Sequence, residues 1–285
     1  MDATTARQLW LVGEPIHALT YFSADAAAAW EAAGMRGFWR GYFATRAAPF
    51  GAVDAPVVTA SFFNFQPAMV ERAVPAVWSM VSPAAALDAR LAGMDAALRS
   101  TVGSLVDDPR LHDVVAVLRD VVTGAPTAGR ALFAANAALP WPTESHLALW
   151  HALTCLREHR GDGHNAALVA AGLDGCEAHV LAGAAGGTSR SVLQPARGWT
   201  DAEWDAAVDR LVERGLVRGD GAITDAGAAL HGSVEATTDG LAAAVWTGVP
   251  DATATTMLDT LRPWAEAIHR SGQIRQPNPM GLPPV

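Results

Sequence analysis

One stretch of this chain, residues 199–227, limits the fold more than any other. Thr200 is followed three residues later by Glu203, which is the pattern of a capping box at the start of a helix. Residues 216–224 then form two short β-prone segments around an Asp-Gly pair, which is typical of a tight hairpin turn. Asp225 opens a further long helix. We therefore predict a helix, a small β-hairpin and another helix in direct succession.

Helix signals also dominate the rest of the 285 residues, so the chain is predicted to be mainly α-helical. We expect the first helix, residues 5–22, to be broken near Gly13-Glu-Pro15. Residues 143–159 and 164–171 are predicted to be separate helices joined by a turn at 160–163. The stretch 183–198, rich in glycine, serine and threonine, is predicted to be a loop.

Composition bounds the location and the partners of the protein. Apolar residues make up 51% of the chain, which is enough for a sizeable core. The net charge is −9 and all 20 basic residues are arginine, so DNA binding requires those arginines to cluster. The two cysteines suit a reducing compartment. Because the sequence shows neither a signal pattern nor an apolar run of about 18 residues, we expect a cytoplasmic protein without a membrane partner.

The chain carries signs of an internal duplication. Four short matches recur in the same order, with separations of 134 to 143 residues. The matched pairs are His17-Ala-Leu-Thr20 with His151-Ala-Leu-Thr154, Ala32-Ala-Gly-Met-Arg-Gly37 with Ala170-Ala-Gly-Leu-Asp-Gly175, Leu87-Asp88-Ala89 with Thr224-Asp225-Ala226, and Leu118-Arg119 with Leu261-Arg262. We predict an N-terminal half at 1–140 without a clear hairpin, a C-terminal half at 141–270, and an extended tail at 271–285.

The second half resembles the MarR-like winged helix-turn-helix proteins. The resemblance rests on the helix that ends at Leu211-Val-Glu-Arg-Gly-Leu-Val217, on the Asp-Gly wing, and on Ile223-Thr-Asp-Ala-Gly227. Those regulators are dimers whose terminal helices form the interface. The resemblance therefore implies tandem winged-helix-like halves that form a pseudo-dimer within one chain, with a β-hairpin wing only in the C-terminal half.

The whole chain also resembles an uncharacterised actinobacterial helix-turn-helix family. Three segments spread over nearly its full length carry this resemblance: Tyr42-Phe-Ala-Thr-Arg-Ala-Ala-Pro49, Leu156-Arg-Glu-His-Arg-Gly-Asp-Gly-His164 and Asn278-Pro-Met-Gly-Leu-Pro283. The resemblance implies no particular activity.

DNA binding is weighed against the charge of the helix at 199–215. In a helix-turn-helix the second helix enters the major groove, where arginine or lysine meets phosphates and bases. Here Asp205, Asp209 and Glu213 form an acidic ridge with helical spacing, against Arg210 and Arg214. A scaffold that has lost its DNA contacts is favoured over an active DNA-binding unit, although arginines such as Arg190 and Arg197 keep the second alternative open.

An aromatic and basic cluster in the first half is a candidate ligand site. Its members are His17, Tyr21, Phe22, Phe38, Trp39, Arg40, Tyr42, Phe43 and Arg46. Arg46 beside these rings can clamp a carboxylate or phosphate of an aromatic ligand. Phe62, Phe63 and Phe65 can add a second wall. The alternative is an aromatic core stripe whose arginines face solvent.

A second cluster lies early in the second half. It comprises His146, Trp150, His151, Arg157, His159, Arg160, Asp162 and His164. Histidines here can act as acid or base near neutral pH. The alternative is a polar turn with one or two buried, hydrogen-bonded histidines. Because His17 and His151 are equivalent in the repeat, we expect them to face a shared cleft between the halves. No spacing matches a tetrahedral metal site, so no metal is predicted, and no cofactor is identified.

The leading hypothesis is a protein that binds an apolar or aromatic small molecule, with or without a role as a ligand-responsive transcriptional regulator. The residues predicted to bind the ligand are His17, Tyr21, Trp39, Tyr42, Phe43, Arg46, Trp150, His151 and Arg157. The alternative is an enzyme of specialised metabolism on the same scaffold, with His17, His151 or His164 as acid or base and an arginine as anion clamp. The protein is expected to be either a monomer or a dimer.

Overall fold

Fourteen α-helices and no β-strand occur within residues 3–282, the part of the chain that this computed structural model describes. The mainly α-helical class is therefore confirmed. The helices before residue 140 are α1 (Ala3–Phe22), α2 (Ala24–Ala32), α3 (Phe38–Ala47), α4 (Ala55–Phe62), α5 (Pro67–Glu71), α6 (Pro83–Val102), α7 (Arg110–Gly124) and α8 (Ala131–Ala137). Those after it are α9 (Ser145–Ala170), α10 (Gly175–Ala184), α11 (Arg190–Arg197), α12 (Asp201–Glu213), α13 (Asp225–Ala243) and α14 (Asp251–Arg270).

The first helix runs through Pro15, so the predicted break near residues 13–15 was wrong. A proline inside a helix removes one backbone hydrogen bond, but tertiary packing outweighs this cost when one face is well buried. Ile16 and Leu19 are fully buried in the central core. Gly13 lies directly against α9, where an added Cβ would come within 2.9 Å of the Leu153 side chain. The close packing of α1 on α9 therefore holds the helix together across the proline.

Helix α9 is continuous where a turn was predicted at 160–163. Two contacts from α8 and the residue before it explain this difference. Asp162 accepts a hydrogen bond from the backbone N–H of Phe133 at 2.9 Å, and Arg130 donates to the backbone carbonyl of His159. An added Cβ at Gly163 would lie 2.7 Å from Nη1 of Arg130, so glycine makes this approach possible. The Gly-Asp-Gly sequence thus serves helix packing and does not form a turn.

The capping box of α12 is confirmed by both of its hydrogen bonds. The backbone N–H of Glu203 donates to Thr200 Oγ1 at 3.2 Å, and that of Thr200 donates to Glu203 Oε2 at 2.9 Å. The preceding stretch, predicted as a loop, instead contains α11, which ends at Gly198 in the left-handed conformation. Gly198 also packs on Met69, to which an added Cβ would come within 2.8 Å.

The predicted β-hairpin wing was wrong in its extent. The described residues carry one isolated antiparallel bridge there, between Val217 and Ile223. The backbone N–H groups of Leu216 and Val217 donate to the carbonyl of Leu211, so the end of α12 takes up the residues that a first strand needs. What remains is a turn, closed by a 2.8 Å hydrogen bond from the Arg218 N–H to the Ala222 carbonyl.

Three hydrophobic clusters stabilise the described residues. The largest is central and draws on α1, α6, α7, α9 and α14; within it α1 packs along α14 and α7 along α9. The second fills the first half with aromatic side chains, and the third holds α10, α12 and α13 together. The central cluster therefore combines helices from before and after residue 140.

No single helix in the described range is both long and apolar enough to cross a membrane. Only α9 and α10 taken together reach that length and composition, and they are bent by 93° relative to each other.

Candidate functional site

The buried carboxylate of Glu158, on α9, accepts hydrogen bonds from two arginines in the interior of the protein. Arg46 of α3 binds it with two parallel hydrogen bonds, from Nε to Oε1 and from Nη2 to Oε2, both 3.0 Å long. Arg157 adds a third from its Nη1 at 2.8 Å. Burial alone would raise the pKa of Glu158, but the Arg157 and Arg46 guanidiniums outweigh it and hold this pKa well below its usual range. Glu158 is therefore ionised at neutral pH.

The two arginines that bind Glu158 are themselves fixed by further contacts. Arg46 donates from Nη1 to the Tyr42 hydroxyl at 3.2 Å and lies over the Phe62 ring, 4.0 Å from its centroid. The Nε of Arg157 lies 3.7 Å from the carboxylate of Glu14 on α1. Both edges of the Arg46 guanidinium are thus occupied by the protein. Arg46 is not free to clamp a ligand carboxylate in the way that the sequence suggested.

A cavity lies above this network, and we call it the Arg197 cavity. It encloses about 500 Å³, including its open mouth, between the first half and α9. The residues that line it are Tyr42, Arg46, Ser61, Phe62, Asn64, Phe65, Arg157, Glu158, Gly161, Asp162, His164, Asn165 and Arg197. One amide in the wall, Asn165, is fixed by a 3.0 Å hydrogen bond to the Ser61 carbonyl, while the buried side-chain oxygen of Asn64 has no protein partner among the described residues. The cavity thus combines aromatic walls with a few polar groups, the usual make-up of a small-molecule site.

Arg197, at the end of α11, differs from the other two arginines of the cavity. Its guanidinium lies over the Phe65 ring, 4.7 Å from the centroid, and donates to the carbonyl of Pro279 at 2.6 Å and of Ala196 at 3.4 Å. No carboxylate in the described range forms an ion pair with it. Burial, the largest cause, lowers the pKa of Arg197 to about 10, which still leaves it charged at neutral pH.

The charges that line the Arg197 cavity do not cancel. Three guanidiniums face the carboxylates of Glu158 and Asp162. Burial raises the pKa of Asp162 to about 6, against the opposing effect of the hydrogen bond from Phe133. The lining therefore carries excess positive charge at neutral pH, and the excess grows in more acidic solution. An anion that entered the cavity could form an ion pair with the Arg197 guanidinium.

The surface formed by α12 and the following turn presents mainly acidic groups. Residues 201–220 hold six carboxylates and three arginines. The arginines near this surface have protein partners: Arg190 binds Asp205 and Asp201 at 2.6 and 2.9 Å, and Arg210 binds Asp174 and Glu177 at 2.6 and 2.7 Å. Phosphate contacts would have to replace these ion pairs.

A comparison with known protein families bears on this arrangement. A model described as a helix-turn-helix family matches residues 6–275 of the chain. The chain belongs to this helix-turn-helix family. No curated protein and no solved structure matches the chain. Membership of the helix-turn-helix family is thus established, whereas the MarR-like and actinobacterial assignments stay predictions.

Some of the predicted ligand residues of this helix-turn-helix protein line the Arg197 cavity, and others support it from behind. Tyr42, Arg46 and Arg157 line it. Trp39 and Phe43 lie in the next layer, with their ring centroids 6.0 and 5.1 Å from that of Phe65. Tyr21 packs against Tyr42 with centroids 5.0 Å apart.

The remaining predicted residues lie deeper in the helix-turn-helix core. His17 Nδ1 is 3.0 Å from Thr154 Oγ1, and the Trp150 indole is 3.4 Å from the His17 carbonyl oxygen. His151 lies 3.7 Å from Cys155 and packs on Trp141. Burial lowers the pKa of both histidines, that of His151 to about 4, so both are neutral at pH 7. Neither lines any of the cavities described here, in contrast to the expected shared cleft.

The third candidate for catalysis, His164, does line the Arg197 cavity, and its Nδ1 is 3.0 Å from the Thr238 hydroxyl. The described residues contain no group of side chains that could hold a metal ion. Sequence reasoning missed Arg197 as a cavity residue because it placed that arginine in a loop. Its position before a glycine and a capping box was the available signal of a helix end.

Proposed function

We propose that this helix-turn-helix protein binds a small aromatic molecule with a negative charge in the Arg197 cavity. The observation that carries the proposal is the Arg197 guanidinium, which lies on an aromatic wall without a carboxylate partner in the described part of the chain. A buried cation without a counter-charge is costly, and an anionic ligand would supply that charge. The rings of Tyr42, Phe62 and Phe65 would contact the apolar part of the ligand.

The proposal includes the tandem architecture, with residues 1–140 and 141–270 as the halves of a MarR-like pseudo-dimer. Its support is the packing of the central core, where α1 packs along α14 and α9 packs along α7 and α8. The Arg197 cavity would then lie at the junction of the halves, with Phe62 and Phe65 from one and Glu158 and Arg197 from the other. The tail would complete the cavity through Pro279.

The proposal can be tested with two fluorescent probes that share one ring system. Anilinonaphthalenesulfonate is an anion, and phenylnaphthylamine has the same rings without the sulfonate. We expect the anion to bind at one site and the variant Arg197→Gln to weaken its affinity about tenfold or more, because a hydrogen-bonded charge partner is lost. Arg36→Gln removes an exposed arginine elsewhere and serves as the matched control.

Two results would contradict the proposal. One is the absence of saturable binding of the anion to the folded wild-type protein. The other is equal affinity of the wild type and the folded Arg197→Gln variant. Circular dichroism on each variant separates a lost binding site from a lost fold. Native mass spectrometry of the purified protein would also reveal whether a small molecule is carried through purification.

A second candidate function, a DNA-binding regulator, is favoured by membership of the helix-turn-helix family. Against it stands the acidic surface of α12, which opposes the approach of a phosphate backbone. Fluorescence anisotropy with a labelled duplex of mixed sequence at low salt is the appropriate test. Salt-sensitive binding would support the regulator, and a ligand that alters this binding would link it to the Arg197 cavity.

A further inference from the structure

A second cavity lies on the opposite side of Arg157, and we call it the Trp10 cavity. It encloses about 650 Å³, including its mouth, between α1, α9, α13 and α14. Its walls are mostly apolar and include Leu9, Leu118, Leu153, Trp246 and Met257. The lining helices come from the two ends of the chain and from its centre. The cavity is therefore a feature of the assembled core and not of one local segment.

The charged side chains at the Trp10 cavity are paired with one another. Arg7 and Arg160 each lie 2.7 Å from the carboxylate of Asp239. Glu14 faces Arg157 at 3.7 Å, and the Trp10 side chain forms a hydrogen bond with it. Among the described residues that line this cavity, no charged group is left without an opposite partner. This is the contrast with the Arg197 cavity, where one guanidinium has no carboxylate.

Two guanidiniums lie close to the Trp10 ring. The guanidinium of Arg160 lies 4.8 Å from the ring centroid, and that of Arg7 lies 5.8 Å from it. Since both arginines also bind Asp239, the indole, the two cations and the carboxylate form one fixed group at the cavity. A ring wall that is already positioned needs little reorganisation when a ligand binds.

From this arrangement we infer that the Trp10 cavity is a second binding site, for a small, neutral, apolar molecule. A charged ligand would lose its hydration and would have to compete with ion pairs that the protein already forms. A neutral apolar ligand gains from burial against the leucine, methionine and tryptophan walls. The inference does not depend on the proposed function, because Arg197 does not line the Trp10 cavity.

The test uses phenylnaphthylamine, whose fluorescence rises when it leaves water. We expect saturable binding to the wild-type protein and a loss of affinity of about tenfold or more in Ala243→Phe, which fills the cavity from α13. Ala236→Phe makes the same substitution at an exposed position of α13 and should bind as the wild type does. Arg197→Gln should also leave this affinity unchanged, which separates the result from the test of the Arg197 cavity.

A smaller substitution keeps the test decisive if Ala243→Phe fails to fold. Ala243→Val occupies less of the cavity and should give an intermediate loss of affinity for phenylnaphthylamine. The inference is overturned if the wild type shows no saturable binding. It is equally overturned if a folded Ala243 variant binds as tightly as Ala236→Phe does.

Discussion

At the scale of single residues, Glu158 is the side chain whose loss should be most costly. It neutralises Arg46 and Arg157, and its side chain is 2% exposed. Glu158→Ala would leave two guanidiniums without their principal partner, and breaking a buried pair in this way costs about 3–5 kcal/mol. We expect the free energy of unfolding, measured by urea denaturation, to fall by that amount.

Asp209→Ala is the control for Glu158→Ala, because it removes an exposed carboxylate from α12. Exposed substitutions of this kind usually change stability by less than about 0.5 kcal/mol. If Glu158→Ala lowered the free energy of unfolding no more than this control does, the ion pairs of Glu158 would not stabilise the fold.

Asp162 should make anion binding depend on pH. Its pKa is raised to about 6, so its negative charge is lost as the pH falls through that value. Because this charge lies in the wall of the Arg197 cavity, its loss should strengthen the binding of anilinonaphthalenesulfonate about fivefold between about pH 7 and about pH 5. The measurement is a fluorescence titration at each pH.

The variant Asp162→Asn separates this carboxyl from the other titratable group in the wall, His164. The amide oxygen can still accept the hydrogen bond from Phe133, and the variant should bind the anion more tightly at neutral pH. Burial lowers the pKa of His164 from its ordinary value. An unchanged pH profile in the folded variant would rule out Asp162 as the source.

How far the site could be predicted depends on the sequence distance between partners. Arg46 and Tyr42 are four residues apart on one helix, so helical spacing alone brought them together. The partner of Arg46, Glu158, is 112 residues away, and no local pattern indicates this pair. As a result, the sequence placed Arg46 beside aromatic rings but could not show that the Glu158 carboxylate binds it.

At the scale of elements, α12 was predicted well because its signals are local. The capping box lies within four residues, and the buried stripe follows from helical spacing, with Trp204 and Leu211 in the core. The continuity of α9 could not be predicted, because the contacts that stabilise it come from Phe133 of α8 and from Arg130, the residue before α8.

The acidic surface of α12 leads to a prediction about DNA. Replacing Asp205, Asp209 and Glu213 together by asparagine removes three negative charges from the exposed side of the helix. We expect this triple variant to bind a mixed-sequence duplex more tightly than the wild type at low salt, because phosphate repulsion is reduced. Fluorescence anisotropy of a labelled duplex measures the difference.

The control for this triple variant neutralises three exposed carboxylates of the first half, Asp88, Asp113 and Asp120. It makes the same change in net charge at a distance from α12. Equal gains in DNA affinity from both triple variants would mean that net charge alone matters. In that case the carboxylates of α12 would affect DNA affinity no more than other surface carboxylates do.

At the scale of the whole molecule, the central core is built from helices that lie before and after residue 140. The buried residues of α1 pack with those of α14, and those of α7 pack with those of α9. A boundary near residue 140 thus separates the chain in sequence but not in its hydrophobic core. The sequence repeat predicted two halves, but it could not show that helices from both sides of residue 140 pack together, since this depends on contacts between distant segments.

Packing between helices from before and after residue 140 predicts how a chain cut between Pro140 and Trp141 behaves. The fragments 1–140 and 141–285 should each be poorly folded alone, because each would expose the apolar faces that normally pack on the other. Expressed together, they should assemble into a complex with the helical circular dichroism spectrum of the intact protein and a cooperative thermal transition. Size-exclusion chromatography and circular dichroism of each sample measure this. If fragment 1–140 alone were monomeric and unfolded cooperatively, the halves would be independent domains and the shared core would not be needed for folding.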